Sequence, residues 1–120
     1  MEPLKLHDAE YRLASIVWDS EPIHSRELAE KCEAQLGWKR TTTYTMLKKL
    51  CEKGVLRNDK AQVTALIKRG QIQRDESRAV VEKSFGGSLP DFITAFLTGN
   101  KLSEEEAERI RRLIDDHRGE

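Results

Sequence analysis

The chain has 120 residues, 38% of them hydrophobic and 35% charged, enough apolar material for one or two small domains and too little for several. Its 21 basic residues balance 21 acidic ones, but the balance is not local: residues 39–70 hold nine Lys and Arg against only Glu52 and Asp59, while the segments on either side are net acidic. No apolar run approaches bilayer length, no signal-like stretch opens the chain, and Cys32 and Cys51 share no metal or redox spacing, so the expectation is a reduced, cytoplasmic protein without membrane insertion.

In chain order, Asp8 can cap a first helix with Glu10 in its first turn, running to about Asp19 and burying Leu13, Ala14, Ile16, Val17 and Trp18. Pro22 forbids its continuation. Ser25 then offers a second cap for a helix that buries Leu28, Ala29, Cys32 and Leu36 before Gly37 ends it. From about Lys39 to Lys53 a third helix places Thr43, Met46, Leu47, Leu50 and Cys51 on one side and Thr41, Thr42, Tyr44, Thr45, Lys48 and Lys49 mostly on the other, and Gly54 closes it. Two helices joined at Gly37-Trp38, the second polar and basic outside, fit a helix-turn-helix. Val55-Leu56-Arg57 leads into a turn at Asn58-Asp59-Lys60, and Gln62 to Ile67 returns as a strand, which makes a hairpin wing.

Beyond Gly70 the composition turns acidic, with a helix of about Gln73 to Phe85 stopped by Gly86-Gly87. Ser88 caps the next helix, whose apolar face is Phe92, Ile93, Phe96 and Leu97 and whose stop is Gly99-Asn100. Ser103 and Glu106 form a capping box for the last, Leu102 can staple against Ala107, and Ile110, Leu113 and Ile114 continue the stripe. Three short amphipathic helices make a marginal core. They need a partner, either the N-terminal half or, as the reading preferred here, the same face of a second copy. The expected fold is mainly α: an N-terminal winged helix-turn-helix over residues 1–70, three helices plus a small β-hairpin wing, followed by a C-terminal helical dimerisation region over residues 71–120. The dimerisation set is Phe92, Ile93, Phe96, Leu97, Ile110, Leu113 and Ile114.

Basic side chains hold phosphates, while Thr, Tyr, Arg and Lys on a groove-facing helix reach base edges and thymine methyls. The DNA-binding set expected on the third helix is therefore Lys39, Arg40, Thr41, Thr42, Tyr44, Thr45, Lys48 and Lys49, with Lys60 from the wing tip. Thr43 points inward and is left out. Lys68 and Arg69 after the wing, and Lys5 and His7 before the first helix, are further candidates for phosphate contact. Against catalysis, His7, His24 and His117 are scattered and no glycine-rich phosphate loop is present, so no catalytic residue, metal ligand or cofactor is assigned.

The chain resembles the BlaI/MecI family of penicillinase repressors through Asp8-Ala9-Glu10, Val17-Trp18, Gly37-Trp38, Leu47 to Leu50 and Lys53-Gly54. Phe85-Gly86-Gly87-Ser88-Leu89 and Lys101-Leu102-Ser103 extend the likeness over nearly the whole chain. The resemblance implies a homodimeric repressor binding a palindromic double-stranded DNA operator. In the best-known members a membrane-bound sensor metalloprotease triggers cleavage of an Asn–Phe bond in the dimerisation helices. The matching bond here is Ala95-Phe96, the candidate proteolytic switch, with Ala in place of Asn. The cysteine-rich C-terminal motif of copper-responsive relatives is absent, as are the family's common aromatic residues in the return strand. The rival reading is a protein-interaction adaptor without DNA binding, against which the basic segment argues.

Overall fold

A computed structural model describes residues 5–119. The described chain is mainly helical and forms two compact units, one up to Ala79 and one from Val80 on, with helix α4 running across the division.

In the first unit, α1 (Asp8–Ser20), α2 (Ser25–Leu36) and α3 (Arg40–Glu52) enclose a core of Leu13, Ala14, Val17, Leu28, Cys32, Leu47 and Leu50. These residues recur at helical spacing because each helix has one apolar stripe to remove from water. The caps fall one residue earlier than their sequence signals. His7 caps α1, its backbone N–H donating to Glu10 Oε1 at 2.9 Å, and His24 caps α2, its Nδ1 accepting from the Arg26 N–H at 3.1 Å.

The hairpin forms as expected, but its turn does not. β2 (Leu56–Asp59) and β3 (Gln62–Ala65) pair from Leu56↔Ala65 to Asp59↔Gln62, so Asn58 and Asp59 lie in the strand and the turn is Lys60-Ala61. Both turn residues have positive φ, 50° and 68°, the conformation that lets a two-residue turn follow the twist of its strands. A third strand, β1 (Ile23–His24), pairs antiparallel with β3 and gives the order β1-β3-β2. Sequence reading missed it. The Ala61 carbonyl accepts from the Ser25 N–H at 2.8 Å, which moors the wing turn to the start of α2. With three helices and this small sheet, the unit is a winged helix-turn-helix.

The fourth helix, α4 (Arg69–Phe85), begins four residues before the expected Gln73 and takes in Gly70. Glycine is a poor helix former, so tertiary contacts must hold the first turn. Arg69 Nη2 donates to Asp19 Oδ1 at 2.8 Å and to the Ser15 hydroxyl at 3.0 Å, its guanidinium lies 5.3 Å from the Trp18 ring centre, and Ile72 is fully buried. In the second unit, α5 (Leu89–Leu97) is capped by the Ser88 hydroxyl, which accepts from the Asp91 N–H at 3.1 Å. The Ser103–Glu106 capping box opens α6 (Glu104–Asp116) as its sequence signature predicts. No described helix is long and apolar enough to cross a membrane.

Candidate nucleic-acid interface and apolar helical face

Three residues separate α2 from α3. Gly37 takes the left-handed conformation, φ 70°, and its N–H and that of Trp38 close on the carbonyls of Glu33 and Cys32. Trp38 packs half-buried against the core, so the turn is held by its own side chain, and Lys39 caps α3 in an extended conformation. Thr43, Leu47 and Leu50 then face inward at i, i+4 and i+7. Arg40, Thr41, Thr42, Tyr44, Thr45, Lys48 and Lys49, together with Lys39 before them, are all exposed, and Tyr44 keeps 41% of its surface open to water. The helical residues of the set lie on the outer face of one rigid helix. Lys60 is exposed at the tip of the wing, on a separate element.

The other end of α3 is fixed by an ion pair. Glu10 on α1 is only 3% exposed, and its Oε1 accepts from Lys53 Nζ at 2.8 Å, just where α3 ends. Burial pushes the Glu10 carboxyl up, but the Lys53 ammonium and the His7 N–H outweigh it and hold the group below its ordinary value. Two of the further cation candidates are likewise committed within the protein. Lys68 Nζ binds both oxygens of Glu21 at 3.0 and 2.9 Å, and Glu21 also accepts from the Ala65 N–H of β3, while Arg69 is held by Asp19. Lys68 and Arg69, expected as phosphate contacts, are in the structure fasteners of β3 and α4 to the end of α1, with the Lys68 side chain still 65% exposed. His7 is likewise the cap of α1.

In the second unit no described residue is buried. Phe85 meets Phe92 edge-on at 5.5 Å, and Phe92 lies 6.2 Å from Phe96. Along α5 and α6, Leu89, Ile93, Phe96, Ile110, Leu113 and Ile114 remain exposed, Phe96 by 60% and Ile114 by 59%, while Phe92 and Leu97 are half-covered. Ala95 and Phe96 both lie exposed within α5.

A winged helix with this basic outer helix, followed by helices with uncovered apolar stripes, has a match along almost its entire length: the sequence pattern of the family described as penicillinase repressor aligns with residues 6–116. The chain belongs to the penicillinase repressor family. The penicillinase repressor of Bacillus licheniformis is 24% identical over 118 residues, covering 95% of this chain and 92% of that protein. The methicillin resistance regulatory protein MecI of Staphylococcus aureus (strain N315) is 22% identical over 115 residues, covering 92% of this chain and 94% of its own. Identity this low leaves the exposed side chains free to differ, so the roles of individual residues rest on the geometry above.

That geometry adds two residues that sequence reading left out of the site. Met46 was placed on the inner side of α3, yet it is only half-buried and lines a surface hollow with Thr41, Thr42 and Thr45. Arg57 is exposed on β2, beside the wing tip. An exposed strand position cannot be told from a covered one when the hairpin register is unknown, and the register turned on a Lys-Ala turn with no sequence signature.

Proposed function

We propose that this member of the family is a non-enzymatic, sequence-specific transcriptional repressor, which lays α3 in the major groove of double-stranded DNA and acts as a homodimer on a palindromic operator. The observation that carries the reading is the two-sidedness of α3: its inner face is locked by Thr43, Leu47, Leu50 and the Glu10–Lys53 pair, and its outer face offers exposed lysines beside threonines and Tyr44. On this reading Lys48 and Lys49, with Lys39, Arg40 and the wing's Lys60, neutralise phosphates. Thr41, Thr42, Tyr44 and Thr45 meet base edges.

Homodimerisation is supported by a unit in which no described residue is fully buried. Covering an exposed Phe, Leu or Ile side chain contributes about 1.5–3 kcal/mol each, and the same stripe on a second copy supplies the complementary surface. Two copies then present two α3 helices to two half-sites about one helical turn apart. A cut at Ala95-Phe96, the bond that the family resemblance marks for a membrane-bound sensor metalloprotease, would break α5 before Phe96 and Leu97, part it from α6 and divide the apolar stripe.

The test is titration of the full chain into duplex DNA from upstream of its own gene, at several salt concentrations. A sequence-preferring complex that weakens with salt is expected, and Lys48→Ala should weaken binding to all sequences and flatten the salt dependence. Thr45→Ala should chiefly change which sequence is preferred. Binding that ignores both salt and sequence would overturn the reading.

A further inference from the structure

The hollow on α3 is lined by Thr41, Thr42, Thr45 and Met46 alone, and it is the feature of the outer face that offers carbon rather than charge. The Thr45 hydroxyl donates to the Thr41 carbonyl at 2.9 Å, so its proton is already spent on the helix backbone. Donation to a base edge would first break that bond. Without breaking it, Thr45 can present its methyl group and the acceptor lone pairs of its hydroxyl, and beside Met46 in the hollow the methyl is the group with an apolar surround. Met46 packs against the core while also lining the hollow, which gives it an apolar base anchored from below.

A phosphate would meet no cation on these four walls. Among the groups that base pairs present in the major groove, the apolar one is the C5-methyl of thymine. We propose that the hollow receives the 5-methyl group of one thymine in each half-site, making Thr45 and Met46 specificity-determining residues that read by shape rather than by hydrogen bonding. The inference rests on the reading of α3 as the groove helix. It adds that Thr45 discriminates thymine from uracil, a difference of one methyl group that no hydrogen bond reports.

The experiment begins by selecting duplexes from a random pool with the full chain, and then replaces each thymine of the selected site, one at a time, with deoxyuridine. For the unmodified protein, one replacement per half-site should weaken binding by about three- to five-fold, the effect of one buried methyl. Thr45→Val keeps a methyl and drops the hydroxyl, and should retain that penalty. Thr45→Ser keeps the hydroxyl and drops the methyl, and should reduce it below about two-fold. If a preferred site emerges but no uracil replacement matters, or if Thr45→Ser shows the full penalty, the hollow is not a methyl site, and the reading of α3 as a DNA helix survives. If no duplex is enriched over the pool, the DNA reading itself fails, and this inference falls with it.

Discussion

Replacing Lys53 by Met keeps the side-chain stem and removes the ammonium that neutralises Glu10. The carboxylate it leaves behind is 3% exposed and retains one hydrogen bond, from the His7 N–H. Stripping one partner from a fully buried pair costs about 3–5 kcal/mol. Here the Lys53 side chain is 33% exposed, so water and salt already screen the pair and about 2 kcal/mol is the better figure. For a domain of this size that lowers the melting temperature by about 8–16 °C. The loss should depend on pH with a definite sign. The folded protein holds Glu10 below its ordinary value of 4.5, so the pair's stabilisation is complete above that pH and is lost as the pH falls through the lower folded value. Urea melts of the wild type and Lys53→Met should thus differ most near pH 7 and converge as the pH falls below the lowered folded value, where a neutral Glu10 needs no cation. The double variant Glu10→Gln, Lys53→Met should recover much of the loss. A difference under about 0.5 kcal/mol at pH 7, or one that does not shrink in acid, would show that the pair does not anchor α3 to α1.

Thr43→Val should stabilise the protein by about 1 kcal/mol, because the Thr43 hydroxyl is buried without a conventional hydrogen-bond partner and the valine has nearly its shape; DNA affinity should not change, since the residue faces inward. Ala61→Gly relieves a left-handed alanine at the wing turn, φ 68°, and should add about 0.5–1 kcal/mol in thermal melts after the entropy of glycine is offset; a loss of stability would contradict the assigned turn. Phe96→Asp places a charge at the exposed end of the aromatic row and should shift sedimentation at micromolar concentration from dimer to monomer, while Glu108→Ala at an exposed, polar position should not.

The helices were legible because their signals are local. Helical spacing of Leu13, Val17, Leu28 and Cys32, the glycine after α2 and the Ser103–Glu106 box each act within a turn or two, and each appears where expected. The winged architecture followed from their order. What escaped was set by distant partners. A strand of two residues, Ile23 and His24, exists because β3 has an edge to fill, and nothing in Pro22-Ile23-His24-Ser25 announces it. Lys60-Ala61 turns without the Asn-Gly that usually marks such turns, since the Ser25 N–H holds the Ala61 carbonyl. Helix α4 absorbs Gly70 because Arg69 is gripped by α1. On α3 the outer face was legible residue by residue from periodicity. The hollow was not, because periodicity places Met46 inside and only the packing shows how much of it remains uncovered.

The charge pattern that first marked residues 39–70 has two origins, which the sequence cannot separate. Lys53, Lys68 and Arg69 all belong to that basic segment, and their partners Glu10, Glu21 and Asp19 all belong to the acidic segment before it. Part of the segregation along the chain is therefore undone in space, as a set of clamps that fixes α3, β3 and α4 on α1. Arg40 and Arg57 sit 3.9 Å from Glu33 and Asp59 at exposed positions, contacts loose enough for a phosphate to replace. Lys39, Lys48, Lys49 and Lys60 make no ion pair among the described residues. Three of these four lie on or at the start of α3, and the fourth is at the wing tip. The count of nine cations thus overstates the surface available to a polyanion, but the subtraction falls outside the proposed interface. What survives it is charge placed where a groove-binding helix and a flanking wing would use it, and this makes the remainder a stronger argument for DNA than the total was.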